Sequence, residues 1–132
     1  RLLCSQIAGR MPSSPVYAVD WHRALVDRVA ARAGSGRVYP TLCDYETIDR
    51  VPVASGLVVL AGLWQSLEDP PQMFLSIKAK LEQGGRLVLM ERDGECLEDA
   101  KHWARKSGFE RFAEPKHISG CCICVMGVRA GP

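Results

Sequence analysis

The sequence predicts an α/β fold, a mostly parallel sheet covered by helices and finished by an antiparallel hairpin. Three observations predict it. Strand-like and helix-like runs alternate along most of the 132 residues, which is the pattern of a layered parallel sheet. The run Gly56-Leu57-Val58-Val59-Leu60-Ala61-Gly62-Leu63 is apolar without alternation, as a strand buried on both faces is. Near the end, two strand-like runs are separated only by Ser119-Gly120, a two-residue hairpin loop.

The elements follow in order. Leu3, Ile7 and Met11 recur at helical spacing, and Pro12 with Ser13-Ser14-Pro15 stops that helix. Val16–Val19 is a short strand, and Asp20 ends it as a candidate cap for the next helix. That helix carries Leu25 and Val29 on one face, with Val26 and Ala33 nearby, and closes at Gly34-Ser35-Gly36. Arg37–Leu42 is a strand containing Pro40, which cannot donate to a ladder and so predicts a sheet edge. Tyr45–Ser55 is a polar connector to Gly56–Leu63. After Pro70-Pro71, Phe74, Ile77 and Leu81 mark a helix that Gly84-Gly85 ends. Arg86–Glu91 is the next strand. Leu97, Ala100 and Ala104 mark the last helix, stopped at Gly108. Phe109–Ile118 and Cys121–Val128 are the final pair of strands. No internal repeat or linker divides the chain, so residues 1–132 are expected to form one domain.

Composition narrows the function. Apolar residues are 47% and charged residues 24%, which argues against disorder. The balance of 17 basic and 15 acidic residues, a net +2, disfavours a protein that lives mainly on phosphate contacts. The longest apolar run falls short of the ~20 residues that a membrane span requires. Six cysteines are scattered, and only Cys121 and Cys124 stand at CxxC spacing. They read as small apolar residues of a reducing, cytoplasmic setting. Among them, Cys121, Cys122 and Cys124 near His117 suggest a metal, but strand alternation turns Cys121 away from the other two. No metal is expected. His22 and His102 fall on predicted helices without a cysteine partner, and the charges of Lys101–Lys106 read as a solvated helix face.

Ligands of open α/β sheets lie beyond the carboxyl ends of the strands. Those ends carry Asp20-Trp21, Cys43-Asp44-Tyr45, Trp64-Gln65 and Glu91-Arg92. A carboxylate at Asp20 can accept both hydroxyls of a ribose. Trp21 can lie against a purine, and Asp44 can accept from an exocyclic amine. Each also has a structural reading: Asp20 as a helix cap, Asp44 as a turn residue, Tyr45 and Trp64 as packing.

The ordered set resembles the class I S-adenosylmethionine-dependent methyltransferases, of the small type related to ubiquinone and menaquinone biosynthesis. The matching stretches are Val16–Trp21, Arg37–Asp44, Gly56–Pro70, Leu81–Leu89 and Ser107-Gly108-Phe109. The resemblance implies a three-layer Rossmann-like fold and S-adenosylmethionine as cofactor. It implies cofactor contacts at Asp20, Trp21, Asp44, Tyr45 and Leu63. Trp64 and Gln65 would stand near the methyl group and the acceptor, and Glu91 is a candidate acceptor-side base. The expected partner is a small-molecule substrate, with no membrane, no principal nucleic-acid role, and a homo-oligomer as a further expectation.

Three departures stand out. The family's first strand and glycine-rich loop would end just before Arg1, and this chain does not contain them. Truncation or omission is the expected reason. The central strand edges would then be completed by further residues, by direct pairing, or by a strand from another chain. Ser55-Gly56 stands where the family has an acid, and Gln83 stands in place of proline. The rival reading is a non-catalytic methyltransferase-like scaffold or assembly module. A nicotinamide-dinucleotide-binding half is a third, because an acid ending the second strand suits it equally.

Overall fold

A computed structural model describes residues 3–11, 13–32, 37–44, 46–113 and 115–129. The chain divides into two compact units, Arg1–Pro52 and Val53–Pro132.

The first unit contains α1 (Leu3–Arg10), β1 (Val16–Asp20), α2 (Arg23–Arg32) and β2 (Val38–Leu42). β1 and β2 pair in parallel, with Val16 opposite Val38 and Asp20 opposite Leu42. Pro40 sits opposite Ala18 in a strand whose single partner among the described residues is β1, as an edge position requires. Tyr17 and Tyr39 stack across the pair, their centroids 5.2 Å apart. On α2 Val26 is buried and Val29 half-buried, while Leu25 is exposed, so the inward face keeps Val29 and centres on Val26 in place of Leu25. Ala33 and Gly34-Ser35-Gly36, expected to end this helix, lie outside the described residues. The connector to the second unit is less polar than its sequence suggests, because Ile48 and Val51 are buried, as is Cys43 just before it.

The second unit contains β3 (Ser55–Ala61), a 3-10 turn (Trp64–Ser66), α3 (Pro70–Lys80), β4 (Leu81–Glu91), α4 (Gly94–Lys106), β5 (Phe109–Arg111), β6 (Lys116–Ile118) and β7 (Cys121–Val128). Its sheet runs β3-β4-β7-β5, with β6 also on β7. β3 and β4 are parallel, and β7 is antiparallel to β4, β5 and β6. Asp69 and Asp93 start α3 and α4 by accepting the Gln72 and Glu95 N–H groups. One core fills this unit: Leu60 from β3, Leu87 and Leu89 from β4, Cys124 and Met126 from β7, Phe109 from β5, and Phe74, Ile77, Leu97, Ala100 and Ala104 from the two helices.

Four expectations change here. α3 ends at Lys80, and Leu81 already belongs to β4. The Gly84-Gly85 pair therefore shapes an irregular entry to the strand, where Ser55 faces Leu81 but Leu57 faces Arg86. β3 is not buried on both faces: Leu60 is buried, but Leu57 is 37% exposed. β3 pairs only with β4 among the described residues, so it lacks the flanking cover that a continuous apolar run implies. The penultimate strand splits into β5 and β6, and Phe112 at the break leaves its ring 60% exposed. Lys101 is not on a solvated face. It is 5% exposed, and its ammonium donates to Glu98 at 3.0 Å.

Candidate functional site

In the first unit the parallel register brings the ends of β1 and β2 side by side. The Cys43 N–H donates to the Asp20 carbonyl at 3.0 Å, so Asp20 and Asp44 leave neighbouring strands at one end of the pair. Asp20 is not the cap of α2. Its Oδ1 accepts the His22 N–H at 3.0 Å and lies 3.1 Å from His22 Nδ1, whereas the His22 carbonyl accepts the Leu25 and Val26 N–H groups that open the helix. His22 itself precedes α2. Trp21 is 55% exposed and tilts against the His22 ring at 4.3 Å. Asp44 is exposed, and its Oδ1 accepts the Glu46 N–H at 2.8 Å. Tyr45 lies outside the described residues.

The loop after Asp44 is held from inside. The Cys43 thiol donates to Asp49 Oδ1 at 3.3 Å and accepts the Arg50 N–H at 3.4 Å. Burial first, then the Asp49 carboxylate, push this thiol's pKa up against the lowering effect of the Arg50 N–H. Donation from Cys43, then from Thr47, holds the Asp49 carboxyl below its ordinary value. Ile48 adopts a φ of 44°, rare for a β-branched residue, while its N–H donates to the Asp44 carbonyl. Sequence reasoning missed this support. The apolar spacing of Cys43, Ile48 and Val51 within a polar connector was its only signal.

In the second unit, the strand-end residues of β3 and β4 meet. The Gly62 N–H donates to the Met90 carbonyl at 2.9 Å. Leu63 and Trp64 are half-buried against the core, and Trp64 lies 6.2 Å from the Phe74 ring. The Trp64 N–H points at Glu91 Oε2 at 3.5 Å, at the long limit of a hydrogen bond. Gln65 Nε2 stands 3.5 Å from Cys96 Sγ in the first turn of α4. Burial and then the carboxylates of Asp93 and Glu91 push the Cys96 thiol's pKa up, so it stays a neutral polar contact. The structure thus brings Leu63, Trp64, Gln65 and Glu91 to one rim and adds Cys96, which the sequence did not single out.

The donor set fits a nucleoside on physical grounds. Two carboxylates at adjacent strand ends offer acceptors to hydroxyl and amine hydrogens, and the exposed Trp21 face offers a stacking surface. Among the described residues no group of three His, Cys, Asp or Glu side chains is gathered to hold a metal ion, and no helix is long and apolar enough to cross a membrane.

No protein-family model matches the chain, and no curated protein does. Solved structures do match. A TehB-like SAM-dependent methyltransferase from Corynebacterium glutamicum aligns with a TM-score of 0.76 and 16% identity, covering 96% of this chain and 74% of that one. LaPhzM aligns with a TM-score of 0.74 and 18% identity over 96% of this chain, which spans only 46% of LaPhzM. The N-methyltransferase NodS from Bradyrhizobium japonicum aligns with a TM-score of 0.72 and 16% identity, covering 88% of this chain and 74% of that one. At these identities the likeness is one of fold.

Proposed function

From a chain that has the fold of SAM-dependent methyltransferases, we propose that this protein binds S-adenosylmethionine and transfers its methyl group to a small-molecule acceptor. The observation that carries the reading is the pairing of β1 with β2, which sets Asp20 and Asp44 on adjacent strand ends beside the exposed Trp21. In this reading Asp20 accepts the ribose hydroxyls. His22 holds one of its oxygens, so the carboxylate is oriented before any ligand arrives. Trp21 and Asp44 serve the adenine, with Tyr45 and Leu63 as further cofactor contacts. Trp64 and Gln65 serve the acceptor side. When bound, the cofactor supplies a methyl group already made electrophilic by its sulfonium. The chain's own residues then act through proximity, orientation and exclusion of water. The protein is placed in the cytoplasm in this reading.

Calorimetric titration with S-adenosylhomocysteine tests it. Binding is expected, and Asp20→Ala is expected to weaken it by about 1–3 kcal/mol through the lost hydrogen bonds. Absence of binding at millimolar ligand rejects the enzyme reading and leaves the non-catalytic scaffold. Unchanged affinity in Asp20→Ala removes that residue from the site.

A further inference from the structure

Asp44 is held by a small polar network that lies wholly within the first unit. Its carbonyl oxygen accepts the Thr47 N–H at 3.2 Å and the Ile48 N–H at 2.9 Å, which fills both lone pairs. Its Oδ1 accepts the Glu46 N–H at 2.8 Å. The direction of this carboxylate is therefore tied to the turn that Glu46, Thr47 and Ile48 make around it.

Two side-chain donors close that turn. The Cys43 thiol lies 3.3 Å from the Asp44 carbonyl and 3.3 Å from Asp49 Oδ1. The Thr47 hydroxyl lies 3.3 Å from the same carbonyl and 3.1 Å from the same carboxylate oxygen. The carbonyl is already filled, so both hydrogens go to Asp49, the charged and stronger acceptor. The thiol also accepts the Arg50 N–H. Asp49 thus ties the end of the loop to its start at Cys43. The protonation states agree. Burial holds the Cys43 pKa up, so it remains a thiol that donates, and donation from Cys43 holds the Asp49 carboxyl below its ordinary value, so it remains a carboxylate that accepts.

The tie works against strain. Ile48 holds a φ of 44°, a left-handed conformation that a β-branched residue avoids. Its N–H is one of the two on the Asp44 carbonyl. Without the Asp49 carboxylate the thiol and hydroxyl lose their charged acceptor. Ile48 then relaxes, and the N–H groups that orient Asp44 move with it.

We infer that Asp49 is a positioning residue for purine recognition, which acts through Cys43 and Thr47 to hold the Asp44 carboxylate where it meets the exocyclic amine of the ligand. The inference rests on the function proposed above and adds to it a residue that does not itself touch the ligand. A carboxylate fixed in place distinguishes an amine from a hydrogen atom, whereas one that wanders does so poorly. A loss of stability alone lowers both affinities alike.

The test is calorimetric titration of the full chain with S-adenosylhomocysteine and with its 6-deamino analogue, which carries hydrogen in place of the amine. The parent should prefer the amine-bearing ligand about tenfold. Asp49→Ala should cut that preference to about threefold or less, chiefly by weakening S-adenosylhomocysteine. Asp49→Asn keeps an acceptor oxygen and should recover most of the loss. In an Asp44→Ala background, Asp49→Ala should have no further effect on the preference. A measurement on the parent alone covers the case in which Asp49→Ala does not fold. S-adenosylhomocysteine should slow alkylation of Cys43 by iodoacetamide, read by peptide mass spectrometry, because a ligand that fixes Asp44 also keeps the loop closed over the buried thiol. The 6-deamino analogue should protect it less. The proposal is overturned if folded Asp49→Ala keeps the parent's preference or weakens both ligands alike, or if its effect persists undiminished in the Asp44→Ala background. It is also overturned if bound S-adenosylhomocysteine leaves Cys43 alkylation unchanged. Failure of S-adenosylhomocysteine to bind the parent removes the underlying methyl-transfer reading instead.

Discussion

Gly85→Ala isolates how β4 finds its register. A Cβ at Gly85 would stand 2.9 Å from the Glu82 carbonyl oxygen, 3.0 Å from Leu81 Cδ2 and 3.3 Å from the Gly56 carbonyl oxygen. Two of these are backbone atoms that cannot swing aside, one in the irregular entry of β4 itself and one on β3. Overpacking that moves backbone costs about 1–3 kcal/mol. Against it stands the lower unfolded-state entropy of alanine, about 0.4–1 kcal/mol. The net expectation is a loss of about 1–2 kcal/mol. Gly84→Ala is the matched control. It meets no atom within 4 Å but carries a φ of +78°, so its cost, about 1–2 kcal/mol, is conformational. Urea unfolding followed by tryptophan fluorescence reads both, because Trp64 and Trp103 pack against the core of this unit. Stability of Gly85→Ala equal to or above the parent, at unchanged m-value, refutes the close approach of β3 and β4. The consequence reaches the rim, since Glu91 meets the Trp64 N–H only in this register.

Three further outcomes are expected. Arg86 lies 3.6 Å over the Phe112 ring while its Nη1 donates to the Gly84 carbonyl, so Phe112→Leu should cost about 0.5–1 kcal/mol in the same urea assay; no loss would show that the stacked guanidinium contributes nothing. Glu98→Ala strands the buried Lys101 ammonium and should destabilise by about 1–3 kcal/mol, whereas Asp99→Ala, at a neighbouring exposed position, should not; equal effects would deny the pair its role. Burial raises the Cys43 thiol's pKa, so the folded state favours the neutral thiol. That contribution is complete below the ordinary thiol range and fades as pH rises through the folded value. Thermal unfolding from neutral to alkaline pH should therefore show Cys43→Ala losing less stability than the parent, and parallel curves would contradict the sign.

Much of the fold was legible because its signals are local. Ser119-Gly120 specified the hairpin, and both residues take positive φ, 51° and 81°, as the favoured two-residue turns demand. Leu97, Ala100 and Ala104 marked the inner face of α4 correctly. The same spacing places Lys101 four residues after Leu97, yet its charge concealed its burial, where its ammonium donates to Glu98. The exposure of β3 was not legible, since cover depends on distant elements. Asp20, Trp21 and Asp44 were singled out as strand-end residues, and the β1–β2 register sets Asp20 and Asp44 on neighbouring strand ends. That Cys122 stands opposite Glu91 on one side and His117 on the other was not legible, because it needs the β4–β7 and β6–β7 registers. No local pattern encodes the first of these.

β6 brings the chain, near its end, back to the rim where β3 and β4 exit, and the reversed β7 departs from there. Residues widely separated in sequence thus become neighbours in space, one group leaving β4 and the other flanking a two-residue bend. That bend hangs outside the ladder, so lengthening or exchanging it would re-contour the mouth while the interior stays untouched. A descendant of this chain could acquire a new appetite through that tip alone.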